Sequence, residues 1–77
     1  MTKEILLSRI EDVKAFVNFA MTRDYDIELS SGRYTVDAKS IMGIFSLDLT
    51  RPMTMNAHTE ADADLETAVA PFLYTAE

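Results

Sequence analysis

The run Tyr34-Thr35-Val36-Asp37-Ala38-Lys39-Ser40-Ile41-Met42-Gly43-Ile44-Phe45-Ser46-Leu47 carries two patterns in succession. Up to Ala38, apolar and polar residues alternate. Tyr34, Val36 and Ala38 fall on one side, Arg33, Thr35 and Asp37 on the other, as in a half-buried strand. From Ser40 the alternation stops. Ile41, Met42, Ile44, Phe45 and Leu47 crowd behind a serine, a residue type that caps helices by accepting an amide hydrogen bond on its side-chain oxygen. The run therefore predicts a strand leading into a short helix over 40–47.

Three further strands follow from the same alternation. Tyr25, Ile27 and Leu29 oppose Asp24, Asp26 and Glu28; Met53, Met55 and Ala57 oppose Thr54, Asn56 and His58; a shorter strand sets Ile5 and Leu7 against Glu4 and Leu6. One apolar and one polar face per strand describes a sheet with one side on a core and one in water. Ser30-Ser31-Gly32 reads as a hairpin link. Two more helices are expected. Ser8 and Glu11 have capping-box spacing ahead of Ile10, Val13, Val17, Ala20 and Met21, with Phe16 at the edge of that stripe. Thr59 and Asp62 stand in a similar relation ahead of Leu65, Ala68, Val69, Phe72 and Leu73, and Pro71 should kink or end that helix. The order is strand, helix, strand, strand, helix, strand, helix. It predicts a single two-layer α+β domain over residues 1–77.

Lys39-Ser40-Ile41-Met42-Gly43, followed by Ser46-Leu47, resembles the segment of the bacterial phosphotransferase carrier HPr that runs from its third strand through its short second helix. From about Val13 to the C-terminus the likeness is carried by element order and apolar spacing. It implies the family's open-faced β-sandwich: a four-stranded antiparallel sheet with three helices on one face. HPr has a histidine, followed by Ala-Arg-Pro, at the start of its first helix, and that histidine takes phosphate from enzyme I. The corresponding segment here is Leu7-Ser8-Arg9-Ile10-Glu11-Asp12-Val13, without histidine, proline or glycine. Relay needs an imidazole nitrogen, whose phosphoramidate both forms and leaves near neutral pH. A guanidinium is no nucleophile, and a serine phosphate is too stable to pass on. The chain is therefore expected not to be a competent phosphocarrier.

The resemblance also implies a regulatory role. In Gram-positive relatives a dedicated HPr kinase phosphorylates the serine of Lys-Ser-Ile-Met-Gly, which is Ser40 here. A regulatory paralogue that lacks the histidine but keeps the serine partners a LacI-type catabolite regulator. Lys39, Ile41, Met42 and Phe45 occupy the matching docking surface. Nearby departures are Phe45 where methionine is common, and Asp48 and Pro52 where glycines are common. Two readings stay open for each feature. Ser40 is a phosphosite or only a helix cap. Ile41, Met42 and Phe45 dock a partner or are covered by the next loop, and the domain as a whole is a regulatory binding module or an inert, self-associating one.

The bulk numbers fit either reading. Seventy-seven residues, 48% hydrophobic and 26% charged, suit one small folded domain, and with no cysteine it holds together by packing alone. Seven basic against thirteen acidic residues leave a net charge of −6 that opposes nucleic-acid binding. No apolar run suits a membrane helix. Met1-Thr2-Lys3-Glu4 does not look like a signal peptide, so a cytoplasmic protein is expected. His58, the single histidine, reads as a surface residue. Asp24, Asp26, Glu28, Asp62, Asp64 and Glu66 read as solvated faces; no metal site, cofactor or enzymatic motif is expected. Phe19 is either a second core contact or a self-association surface.

Overall fold

The computed structural model describes residues 1–59 and 62–74. Four strands form one sheet: β1 (Thr2–Ile5), β2 (Ile27–Ser31), β3 (Tyr34–Asp37) and β4 (Met53–Ala57). Their order is β1-β4-β2-β3 and every pairing is antiparallel. α1 (Ile10–Met21) joins β1 to β2, α2 (Ile41–Phe45) joins β3 to β4, and α3 (Leu65–Val69) runs into a 3₁₀ turn, Ala70–Phe72.

The alternation read from the sequence divides the sheet as expected. Ile5, Ile27, Leu29, Met53, Met55 and Ala57 are buried on one face. They share a single cluster with Val13, Phe16, Val17 and Ala20 of α1, Ile44 of α2, Leu65 and Val69 of α3, and Phe72. One cluster can join all three helices to one side of the sheet only if they stand on the same face. The other face carries Thr2, Glu4, Glu28, Ser30, Thr35, Asp37, Thr54 and Asn56. The β2–β3 turn places Gly32 at φ 60°, with no other residue at positive φ among those described. A glycine first in a two-residue hairpin loop matches the twist of the flanking strands.

Several boundaries move. β1 lies two residues earlier than expected, because all four of its residues pair with β4, from Thr2–Asn56 to Ile5–Met53. The amino terminus donates to the Ala57 and Thr59 carbonyls at 2.7 and 3.2 Å. β2 starts at Ile27, so Tyr25 precedes it. The Ser8–Glu11 capping box does not form: Arg9 is the N-cap and makes no side-chain cap bond. Glu11 and Asp12 still lie in the first turn, where they favour the helix dipole. The buried stripe is Val13, Phe16, Val17 and Ala20. Phe16 is at its centre rather than its edge, while Ile10 and Met21, at the helix ends, are 60% and 66% exposed. Phe19 is a second contact, packed against the core with its ring 5.6 Å from that of Phe16.

Thr59 does not open the last helix; Asp64 is its N-cap, and residues 60 and 61 lie outside the described set. Pro71 sits in the first positions of the 3₁₀ turn, where its missing donor costs least. Leu73 lies past that turn and is not on a helix face. It bridges to Ile5, while Leu6 donates to the Phe72 carbonyl at 2.9 Å and Tyr74 to that of Glu4 at 3.0 Å. This strap covers the outer edge of β1 at its Glu4–Ile5 end. The outer edge of β3 pairs with no described strand.

At the opposite end of α1, the Tyr25 hydroxyl donates to Asp62 at 2.6 Å. Burial, then this bond, pushes the phenol up to about 12 from 10.0, and the same bond holds the Asp62 carboxyl below its ordinary range. A folded-state pKa that is raised gives stability fully present below the unfolded value and lost as pH rises through the folded one. The protein should therefore weaken between pH 10 and about 12. Tyr25→Phe should flatten that limb of a urea-midpoint profile. An identical alkaline decline in the variant would mean that other groups cause it.

Candidate functional site

The turn from β3 into α2 is built by short side chains bonding to nearby backbone. The Asp37 carboxylate accepts from the Lys39 amide at 2.8 Å, and the Asp37 carbonyl accepts from the Ser40 amide at 3.0 Å. Ser40 then adopts an extended conformation, and its Oγ accepts from the Gly43 amide at 3.2 Å. That is the cap expected from the sequence, and its loss would cost about 1 kcal/mol. Gly43 is closely approached: a Cβ there would lie 3.2 Å from Ser40 Oγ and 3.3 Å from the Val36 Cβ, so a side chain would push these neighbours by a few tenths of an ångström.

The five residues of α2 divide by face. Ile44 is buried and Ile41 is half-buried against the core, so Ile41 contributes more to packing than to a surface patch. Met42 and Phe45 project outward, 77% and 40% exposed, beside the exposed Ser40. Lys39 is not a free cation next to Ser40. Its ammonium donates to the Arg23 carbonyl at 3.0 Å and ties the start of α2 to the end of α1. Arg23 in turn lies 5.0 Å over the Phe19 ring and 3.5 Å from Asp62. Of the four residues predicted to bind a partner, Met42 and Phe45 are open at the surface, Ile41 partly so, and Lys39 is engaged.

The start of α1 carries no histidine. Ser8 and Arg9 are exposed, and Arg9 lies 3.7 Å from Asp12. Glu11 and Asp12 already occupy the positive end of the helix. His58 follows β4 on the polar side of the sheet, and its Nε2 is 2.9 Å from Glu28 Oε1. Its own strand offers no carboxylate to orient it. The signal was there, since Glu28 and His58 share the polar parity of their strands, but the pairing of β2 with β4 was needed to bring them together.

A model of the family described as the PTS HPr component phosphorylation site matches residues 12–72. The chain belongs to the HPr family. Two HPr crystal structures show the same fold. One, titled HPr-C-His from Thermoanaerobacter tengcongensis, aligns at TM-score 0.75 and 22% identity, covering 92% of this chain and 88% of its own. The other, a phosphocarrier protein HPr from Bacillus anthracis, aligns at 0.64 and 28%, covering 92% and 89%. None of the curated proteins compared matches significantly. The family is one of phosphocarriers that work through other phosphotransferase proteins rather than as enzymes. The family-model match begins inside α1, at Asp12. No helix among the described residues is long and apolar enough to cross a membrane.

Proposed function

We propose that this HPr-family protein is a regulatory protein-binding module of the phosphotransferase system, that it does not relay phosphate, and that phosphorylation of Ser40 by an HPr-type kinase sets its affinity for a partner. The observation that carries the reading is the exposed Ser40 hydroxyl at the start of α2, flanked by the open side chains of Met42 and Phe45. A phosphate there adds a charge of about −1.5 to −2. First-turn amides without intrahelical acceptors and the helix dipole oppose no such charge, so α2 should persist. What changes is the surface: an anion beside an exposed methionine and phenylalanine favours a partner presenting arginine next to an apolar contact. A LacI-type catabolite regulator is the partner class that the family likeness suggests.

The test uses HPr-type kinase, ATP and mass spectrometry, followed by binding to such a regulator. One phosphate should be found on the protein and none on Ser40→Ala. Phosphorylation should raise affinity for the regulator, and Met42→Asp should lower it at least tenfold while changing stability by less than about 0.5 kcal/mol, as at an exposed site. No phosphate, or equal labelling of Ser40→Ala, would leave Ser40 a helix cap. Unfolding of Met42→Asp would place that side chain in the core.

A further inference from the structure

We infer that β3 is a self-recognition edge, through which two copies of this chain pair antiparallel about Thr35. The β1 side of the sheet is covered from Glu4 to Leu6 by the strap at residues 72–74, and the β3 side has no cover among the described residues. Its outward backbone groups follow from the inward ones. Ala38 donates to the Ile27 carbonyl at 2.8 Å, so Ala38, Val36 and Tyr34 turn their amides to β2. By the alternation of an antiparallel ladder, Thr35 and Asp37 turn theirs away from it. Two of the devices that protect an edge strand are missing, since Tyr34–Asp37 contains no proline and no lysine; its one charge, Asp37, is matched by Arg33 of a second copy. Its shortness limits it, which makes the association weak and reversible.

The side chains choose the occupant. Arg33 is exposed and makes no hydrogen bond or ion pair among the described residues. The Asp37 carboxylate faces Glu28 across β2–β3, an unfavourable like-charge pair, and takes only the Lys39 backbone amide. The Tyr34 ring is 72% exposed. Within one chain Arg33 and Asp37 are about 13 Å apart along the strand, too far to pair. Both lie two residues from Thr35 and on the same face. A second copy placed antiparallel about Thr35 puts Arg33 opposite its Asp37, Tyr34 opposite its Val36, and Thr35 opposite its Thr35. Each is a favourable cross-strand pair, and the ionic and aromatic ones occur twice by symmetry. The two Thr35 residues exchange both backbone bonds. No other register aligns the two opposite charges in this way.

The experiment is sedimentation of the full chain from micromolar to millimolar concentration, with hydrogen exchange read by NMR across the same range. The mean mass should rise from 8.7 kDa toward twice that value. The Thr35 amide should gain protection with concentration, and the already bonded Tyr34 and Val36 amides should not. Arg33→Asp and Asp37→Arg should each weaken association about tenfold, since two symmetric pairs are reversed. The double exchange should restore it. Thr35→Pro, at an outward amide that the β2–β3 ladder does not use, should give a monomer with unchanged circular dichroism. An 8.7 kDa species at every concentration overturns the proposal. So does a dimer indifferent to both charge reversals, or one that protects amides elsewhere.

Discussion

Mixed with enzyme I and labelled phosphoenolpyruvate, the protein should take up no acid-labile phosphate, under conditions in which a histidine-bearing HPr is fully labelled. The reason is positional as well as compositional. Transfer needs an imidazole at the start of α1, and Leu7-Ser8-Arg9-Ile10-Glu11-Asp12 supplies none. The first-turn carboxylates of Glu11 and Asp12 add a repulsion that an incoming phosphoryl donor would have to overcome. The one histidine is at the wrong end of the sheet. β1 leaves toward α1 from Ile5, which pairs with Met53 at the beginning of β4, whereas His58 follows the end of β4. Five residues of strand put about 16 Å between those points. His58 also has one ring nitrogen committed to Glu28. Label that is lost in His58→Ala would overturn this expectation and make the Glu28–His58 pair a displaced acceptor.

What the sequence could and could not foretell follows from the range of each interaction. Ser40 as a cap is a local relation, bonding to the Gly43 amide three residues on, and it formed as read. Strand parity is local too, and Ile27, Leu29, Met53, Met55 and Ala57 are all buried. The errors came where distant chain decided the outcome. Val13, Phe16, Val17 and Ala20 form one i, i+3, i+4, i+7 stripe, but periodicity alone gave Ile10 and Met21 equal standing with them. Tyr34 has the right parity for the core yet sits beside the hairpin turn on an edge strand, where nothing covers it. The resemblance places Lys39 on the docking surface, but its ammonium is engaged by an acceptor that local sequence does not show, the Arg23 carbonyl sixteen residues back. Ser8 and Glu11 matched a capping box, but the first helical residue is Ile10, so Ser8 lies one position too early to cap.

Phe16→Ala should be the most damaging single truncation for the fold. Phe16 is fully buried at the middle of α1, edge-on to Phe72 with centroids 5.3 Å apart, and tilted against Phe19. Removing a buried phenylalanine costs about 3–5 kcal/mol through lost transfer energy and the cavity left behind. Domains hold only about 5–15 kcal/mol in all, and a chain of this size stands at the low end. The damage should also spread. Phe72 loses its partner, and Phe72 supplies the carbonyl that holds Leu6 and anchors the strap on β1. Accordingly, the amides of Leu6 and Tyr74 should exchange faster in the variant even where it remains folded. Phe45→Ala is the control: with that ring 40% exposed on α2, its urea midpoint should move far less. Equal midpoints for the two variants would mean that the aromatic cluster of Phe16, Phe19 and Phe72 is not the centre of the core, and that α1 is held chiefly by Val13, Val17 and Ala20.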